Sequence, residues 1–262
     1  DKKLILFGSG RFTERFLFEF AGDYSIYSIV DNNSAKWGTT MAGIPVNSPD
    51  ILREIPESER HIIICIKGYN GVVNQLKDMG ITDFHIYDPG NDYPNKSKEH
   101  VAQSLAQTGD SGLKESGMDK PYNVGYIAGV FDLFHVGHLN MFKRAKEQCK
   151  YLIVGVVSDE GVRLNKQAEP FVPFEERIEM VRSCRYVDEA VKLPLNFAGT
   201  RDMFKKYHFD VQFSGSDYEH DPAWLSEKEF LEKNGATMIF FPYTQSTSST
   251  KLKKAIEGRI NN

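Results

Sequence analysis

The chain has 262 residues, 40% hydrophobic and 26% charged, which are globular proportions that exclude collagen-like, low-complexity and wholly disordered classes. Thirty-two Lys and Arg stand against 36 Asp and Glu, a formal charge of −4. This balance gives no support to a nucleic-acid binder working through bulk phosphate attraction, and any phosphate chemistry must come from a local site.

Three cysteines, Cys65, Cys149 and Cys184, are widely spaced and odd in number, which points to reduced cytosolic thiols rather than a disulfide framework or a Cys/His metal cluster. The opening run Leu4-Ile5-Leu6-Phe7 is too short for a signal segment, and no stretch of about 18 apolar residues follows, so a soluble cytoplasmic protein without membrane or nucleic-acid partners is expected. A first residue Asp1 in place of Met is compatible with a piece of a longer product.

In chain order, Leu4–Phe7, the turn Gly8-Ser9-Gly10-Arg11, a helix, the strand-like run Ser25–Val30 and then Asp31 read as the start of a Rossmann-like unit. Thr13 stands where a third glycine would be. Ile62–Ile66 is a third apolar run, and the later Rossmann strands are not expected, so NAD-dependent hydride transfer is not either. Val30-Asp31-Asn32-Asn33 with Gly43-Ile44-Pro45-Val46 resembles the small Rossmann-like domains attached to sugar-modifying and capsule-assembly enzymes. Residues 1–90 are accordingly predicted to be an accessory domain, either nucleotide-binding or a degenerate docking or dimerisation module. His61, His85 and His100 are isolated and are expected to be structural or solvated.

Turn-rich composition over 91–121 predicts a linker, after which α/β alternation resumes over 122–262. Strands are predicted at 127–130, 151–157, 190–193, 211–214 and 238–241, with helices near 138–149, 174–184, 200–207 and 224–234. The fold class is α/β, two parallel-sheet domains in series. Residues 120–262 expressed alone are predicted to retain at least part of the protein's activity.

The informative segment runs from Gly129 through Phe131, Asp132, His135 and Gly137 to His138, where a buried strand hands over to an amphipathic helix. A helix N-terminus at the carboxyl edge of a parallel sheet favours anions, Gly137 allows close approach of phosphate, and a three-residue spacing places both imidazoles on one side of the first turn. Taken alone, the pair also reads as a satisfied histidine beside a helix cap, or as a zinc pair lacking further ligands. The same half of the chain supplies Lys166 in a loop, Arg177, and the hydroxyl-rich Ser246-Thr247-Ser248-Ser249 before the last helix, which serves either as a second anion site or as a plain N-cap.

His135-Val136-Gly137-His138, the Ser/Thr cluster and Arg185-Tyr186-Val187-Asp188-Glu189 together resemble the cytidylyltransferase family, over residues 122–257. Within it, the match is most similar to the glycerol-3-phosphate, choline-phosphate and ethanolamine-phosphate enzymes. The resemblance implies an HxGH nucleotidyltransferase fold in which a substrate phosphate attacks the α-phosphorus of CTP and expels pyrophosphate. It also implies a homodimer. His135, His138, Lys166 and Arg177 would be catalytic. Gly129, Phe131, Asp132, Gly137, Asp159, Arg185, Asp217, Thr247, Ser248 and Ser249 would bind nucleotide. Mg²⁺ would arrive with the triphosphate, without a protein carboxylate cage. Arg185 has a second reading as a surface salt bridge to Asp188 or Glu189.

Two departures from the family pattern stand out. Tyr243 replaces a phosphate-holding arginine, and Gly215-Ser216-Asp217-Tyr218 is as similar to sugar-phosphate adenylyltransferases as to the cytidylyl enzymes. The expected reaction is CMP transfer to glycerol 3-phosphate for a bacterial capsule or teichoic-acid-type polymer. The rivals are adenylyl transfer to a sugar phosphate and a catalytically weakened nucleotide-binding module.

Overall fold

A computed structural model describes residues 2–20, 22–110, 120–193, 199–242 and 249–260. The chain divides into two compact units, Asp1–Lys96 and Ser97–Asn262, each built on a parallel-dominated sheet.

The first unit runs β1 (Lys3–Phe7), α1 (Arg11–Glu19), β2 (Ile26–Val30), β3 (Thr40–Met41), β4 (Ile44–Asn47), α2 (Ile51–Glu54), β5 (Arg60–Ile64), α3 (Asn70–Asp78) and β6 (Phe84–Ile86). Its strand order is β3-β4-β2-β1-β5-β6, parallel except for the β3–β4 pair. β1 is central, with Ile5, Leu6 and Phe7 buried from both faces, which is why it reads as an unbroken apolar run. The expectation that later strands are missing is corrected by β4 and β6. These short flanking strands, one carrying Pro45 and the other His85, are too brief for a hydrophobic-period signal.

Asp31 accepts from the Ser9 N–H at 2.8 Å, from the Ser9 hydroxyl, and from the Asn33 N–H at 2.8 Å. Burial would raise its pKa, but these bonds and Lys36 together hold the carboxyl below its ordinary value. The carboxylate thus braces the Gly8–Gly10 turn. Thr13 is buried and donates its hydroxyl to the Gly8 carbonyl at 2.7 Å, so a side chain closes this turn where a dinucleotide fold has glycine.

The second unit contains α4 (Lys96–Asp110, whose first residue lies at the boundary), β7 (Tyr122–Gly129), α5 (Val136–Gln148), β8 (Cys149–Val157), α6 (Asp159–Lys166), α7 (Phe174–Arg182), β9 (Glu189–Leu193), α8 (Thr200–Tyr207), β10 (Val211–Gly215), α9 (Pro222–Lys233), β11 (Thr237–Phe241) and α10 (Ser249–Ile260). Its all-parallel sheet has the order β11-β10-β7-β8-β9. Phe142 and Ala145 of α5 and Phe174, Ile178 and Val181 of α7 pack with Ile127 and Phe213 in one core cluster. Tyr126, which follows the strand's alternation to the opposite face, stacks on Phe209 after α8. Neighbouring β7 and β10 lead to connections that diverge, which opens a crevice at their carboxyl ends.

α4 lies within the stretch expected to be linker, yet it carries structural contacts of the second unit. Val101 is buried, Ser97 is hydrogen-bonded to the Tyr207 hydroxyl and Ser104 to that of Tyr151. Both tyrosines also donate to Glu189, at 2.8 and 3.3 Å. A fragment beginning at residue 97 is therefore expected to be more stable than one beginning at 120 by about 2–4 kcal/mol, from one buried valine and two hydrogen bonds. Urea unfolding of the two fragments checks this, and equal midpoints would assign α4 no part in the fold. Cys65, Cys149 and Cys184 are free thiols, and no helix among the described residues is long and apolar enough to cross a membrane.

Candidate active site

The strand-to-helix turn after β7 is built by packing rather than by glycine. Phe131 and Leu133 take positive φ values of 56° and 50°, a conformation that costs L-residues on the order of 1 kcal/mol each. The Phe131 ring offsets that cost by folding back into the core against Phe142 and His138, with centroids at 5.2 and 5.4 Å. Gly129 makes this possible, because a Cβ there would stand 2.7 Å from the Phe131 ring.

His135 is the N-cap of α5. Its Nδ1 accepts from the Gly137 N–H at 3.0 Å, while Nδ1 of His138 accepts from the His135 N–H at 3.4 Å. A neutral imidazole that accepts at Nδ1 carries its proton on Nε2, so the hydrogen-bond network assigns both rings as Nε2–H donors. The rings stack with centroids 3.9 Å apart and planes inclined by 24°. The Ser249 hydroxyl donates to the Asp132 carbonyl at 2.9 Å and lies 3.3 Å from His135 Nε2, where it accepts that proton. Burial first, and then the neighbouring His135, push His138 down to about 3, and burial lowers His135 as well. Both rings are neutral donors at pH 7.

The folded-state pKa of His138 lies below the unfolded value of about 6.5, so the unfolded chain binds more protons between those values. Stability is expected to rise with pH through this window and to be lost as pH falls from about 6.5 toward 3, with a slope approaching ~1.4 kcal/mol per pH unit for one proton. Urea midpoints at pH 7, 5.5 and 4.5 should show the slope, reduced in His138→Asn. An unaltered slope in that variant would place the proton elsewhere.

Both histidines border a cavity of about 450 Å³ at the carboxyl end of the sheet, with Arg144, Lys166, Lys253, Asp217, Tyr218 and Phe241 among its walls. Three cations thus face a volume that already has two neutral donors. Asp132, 3% exposed, sits beneath it and accepts from the Phe171 N–H at 3.0 Å, the Val172 N–H at 3.0 Å and Lys253 Nζ at 2.7 Å. Burial raises its pKa, but Lys253 and the two amides outweigh that and hold the carboxyl below its ordinary value.

A family model described as cytidylyltransferase-like matches residues 126–255. An FAD synthase of Thermococcus kodakarensis is 40% identical over 135 residues, covering 50% of this chain and 87% of that protein. The chain belongs to the cytidylyltransferase-like family. A glycerol-3-phosphate cytidylyltransferase of Bacillus subtilis is 32% identical over 130 residues, 50% of this chain and 94% of the relative. An ethanolamine-phosphate cytidylyltransferase of Dictyostelium discoideum is 44% identical over 93 residues, 35% of this chain and 26% of the relative. The chain is thus a nucleotidyltransferase, with the matched residues inside its second unit.

Within this cytidylyltransferase-like unit the predicted residues do not all reach the cavity. Arg177, expected to hold substrate charge, has a side chain of 0% exposure and points inward. It donates to the carbonyls of Val172 at 2.9 Å, Val157 at 2.8 Å and Val130, and to Asp159 Oδ1 at 2.6 Å. Asp159 in turn accepts from the Phe174 N–H at 3.1 Å, so both residues join the ends of β7 and β8 to α6 and α7 instead of facing the cavity. Lys166 ends helix α6 rather than lying in a loop, and it does line the cavity, as do Phe131, Asp132, Gly137, Asp217 and Ser249. Gly129 accommodates the Phe131 ring, as described. The Arg185 guanidinium lies over the Tyr186 ring at 5.8 Å, and the carboxylates expected to pair with it are committed elsewhere: Asp188 to Lys146 at 2.5 Å and Glu189 to the two tyrosines. Tyr243, Thr247 and Ser248 lie outside the described residues.

The sequence does not single out Arg144 or Lys253. Arg144 is two turns beyond the histidines, donates to the Pro242 carbonyl at 3.1 Å and lines the cavity. The one hint of Lys253 is its spacing of four from Ser249, obscured by neighbouring Lys251 and Lys254. Among the described residues no group of three or more His, Cys, Asp or Glu could hold a metal ion.

Proposed function

We propose that this enzyme transfers CMP from CTP to a small phosphorylated alcohol, glycerol 3-phosphate, in the supply of a bacterial surface polymer, and works as a homodimer. An acceptor phosphate oxygen forms a bond to the α-phosphorus, the bond from that phosphorus to the β-bridging oxygen breaks, and pyrophosphate leaves. The attacking phosphate is already anionic at neutral pH, so no strong base is required and the protein's task is positioning and charge stabilisation. The observation that carries the reading is the stacked histidine pair, its Nδ1 atoms bound to backbone, the Nε2–H of His138 left as a donor and that of His135 directed at the Ser249 hydroxyl, beside a cavity with Arg144, Lys166 and Lys253. Such donors act on charge that develops on the phosphates during transfer. Mg²⁺ bound to the triphosphate would neutralise part of its charge.

Adenylyl transfer is the second reading, favoured by the 40% identity to an FAD synthase. Its acceptor would be a flavin phosphate or a sugar phosphate. Pyrophosphate release with Mg²⁺ and CTP or ATP, crossed with glycerol, ribitol, choline, ethanolamine and sugar phosphates and FMN, separates the two. CTP with glycerol 3-phosphate is the expected pair. Turnover with ATP alone would overturn it in favour of the second reading, and silence with retained nucleotide binding would support a weakened binding module.

A further inference from the structure

Ser249 and Lys253 are four residues apart at the start of α10, on one helix face, and both grip the same residue. Lys253 Nζ meets Asp132 Oδ2 at 2.7 Å, and the Ser249 hydroxyl meets the Asp132 carbonyl at 2.9 Å. Asp132 cannot follow a shifting helix, since it is buried in the turn and its carboxylate is also held by the Phe171 and Val172 amides. Lys253 Nζ is further seated over the Phe171 ring, 5.2 Å from its centroid, and its side chain is 31% exposed, so the pair is not an ordinary solvated surface bridge.

We propose that Lys253 is a positioning residue for nucleotidyl transfer, anchoring α10 on Asp132 so that the Ser249 hydroxyl meets the His135 ring. The inference rests on the reading that places His135 at the reacting phosphates. The 3.3 Å contact between Ser249 and His135 Nε2 depends on the register of α10 against the turn, and two grips one helical turn apart fix both the height and the rotation of that helix. A bond from Ser249 alone would leave the helix free to pivot about it.

The test uses the full chain as wild type, Lys253→Met, Lys253→Gln, Lys253→Arg, Ser249→Ala and the Lys253→Met/Ser249→Ala double variant. Removing the charge is expected to lower kcat about tenfold with the nucleotide KM within about twofold, Lys253→Arg should restore most of it, and the double variant should be no slower than the slower single. In nucleotide-free protein, the ring ¹⁵N shifts of His135 should move in Lys253→Met as they do in Ser249→Ala. Lys253→Gln, which has a shorter stem and keeps an uncharged N–H donor group, stands in if Lys253→Met fails to fold. Additive effects with a raised nucleotide KM would overturn the proposal in favour of direct phosphate contact. Unchanged kcat with unchanged His135 shifts would also overturn it, leaving a plain ion pair. The ring shifts need no turnover, so a wild type that transfers no nucleotide would sink the proposed function while the shifts still decide the role of Lys253.

Discussion

His138→Ala is expected to slow pyrophosphate release by about 10²–10³-fold, the usual cost of removing one preorganised donor from developing charge. The ring is a neutral donor because it is buried and shares its stack with His135, and its Nδ1 is occupied by the His135 N–H, which leaves Nε2–H for substrate. A fixed, poorly hydrated donor needs no reorganisation when charge moves toward the leaving pyrophosphate. The loss should appear in kcat more than in KM, because the interaction strengthens only as that charge develops. Circular dichroism of the variant separates chemistry from folding, since the ring also packs on Phe131 and Phe134. A folded His138→Ala protein with the wild-type rate would take His138 out of the reaction and favour a nucleotide-binding module.

Arg177→Met should reduce the free energy of unfolding by about 3–5 kcal/mol, the range for breaking a buried ion pair by deleting one partner. The guanidinium has no exposed surface and serves Val130, Val157, Val172 and Asp159 together. Methionine fills most of the volume but leaves three buried carbonyls and a carboxylate without their donor. Arg177→Lys should recover little, because one ammonium cannot reproduce a planar fork that reaches four acceptors on separate segments. Midpoints of urea unfolding give the answer. Wild-type stability combined with a selective rise in nucleotide KM would instead restore the phosphate-holding role expected from sequence.

Arg177 and Lys253 show where sequence stops being informative. The sequence by itself determined the alternation of buried strands with amphipathic helices, because Leu4–Phe7 and Tyr151–Val157 are covered on both faces and leave unbroken apolar runs. It also determined the histidine turn, since capping and three-residue spacing act within one helical turn, and this is what makes the family resemblance legible. Strands such as β3, β4 and β6, at the flanks of their sheet, left too few residues for a period to register.

Only the tertiary structure decided which charges face the cavity. Lys166 and Arg177 are both cations shortly after β8, yet one ends a helix at the cavity wall and the other turns inward beneath it. Lys253 meets Asp132 across most of the second unit's sequence, and the order β11-β10-β7-β8-β9 sets the last strand only two places from β7, just beyond whose end Asp132 lies. Helical period and capping are read over a few residues. The partner of a long charged side chain is set by which strands end up side by side, and that depends on the packing of the whole sheet.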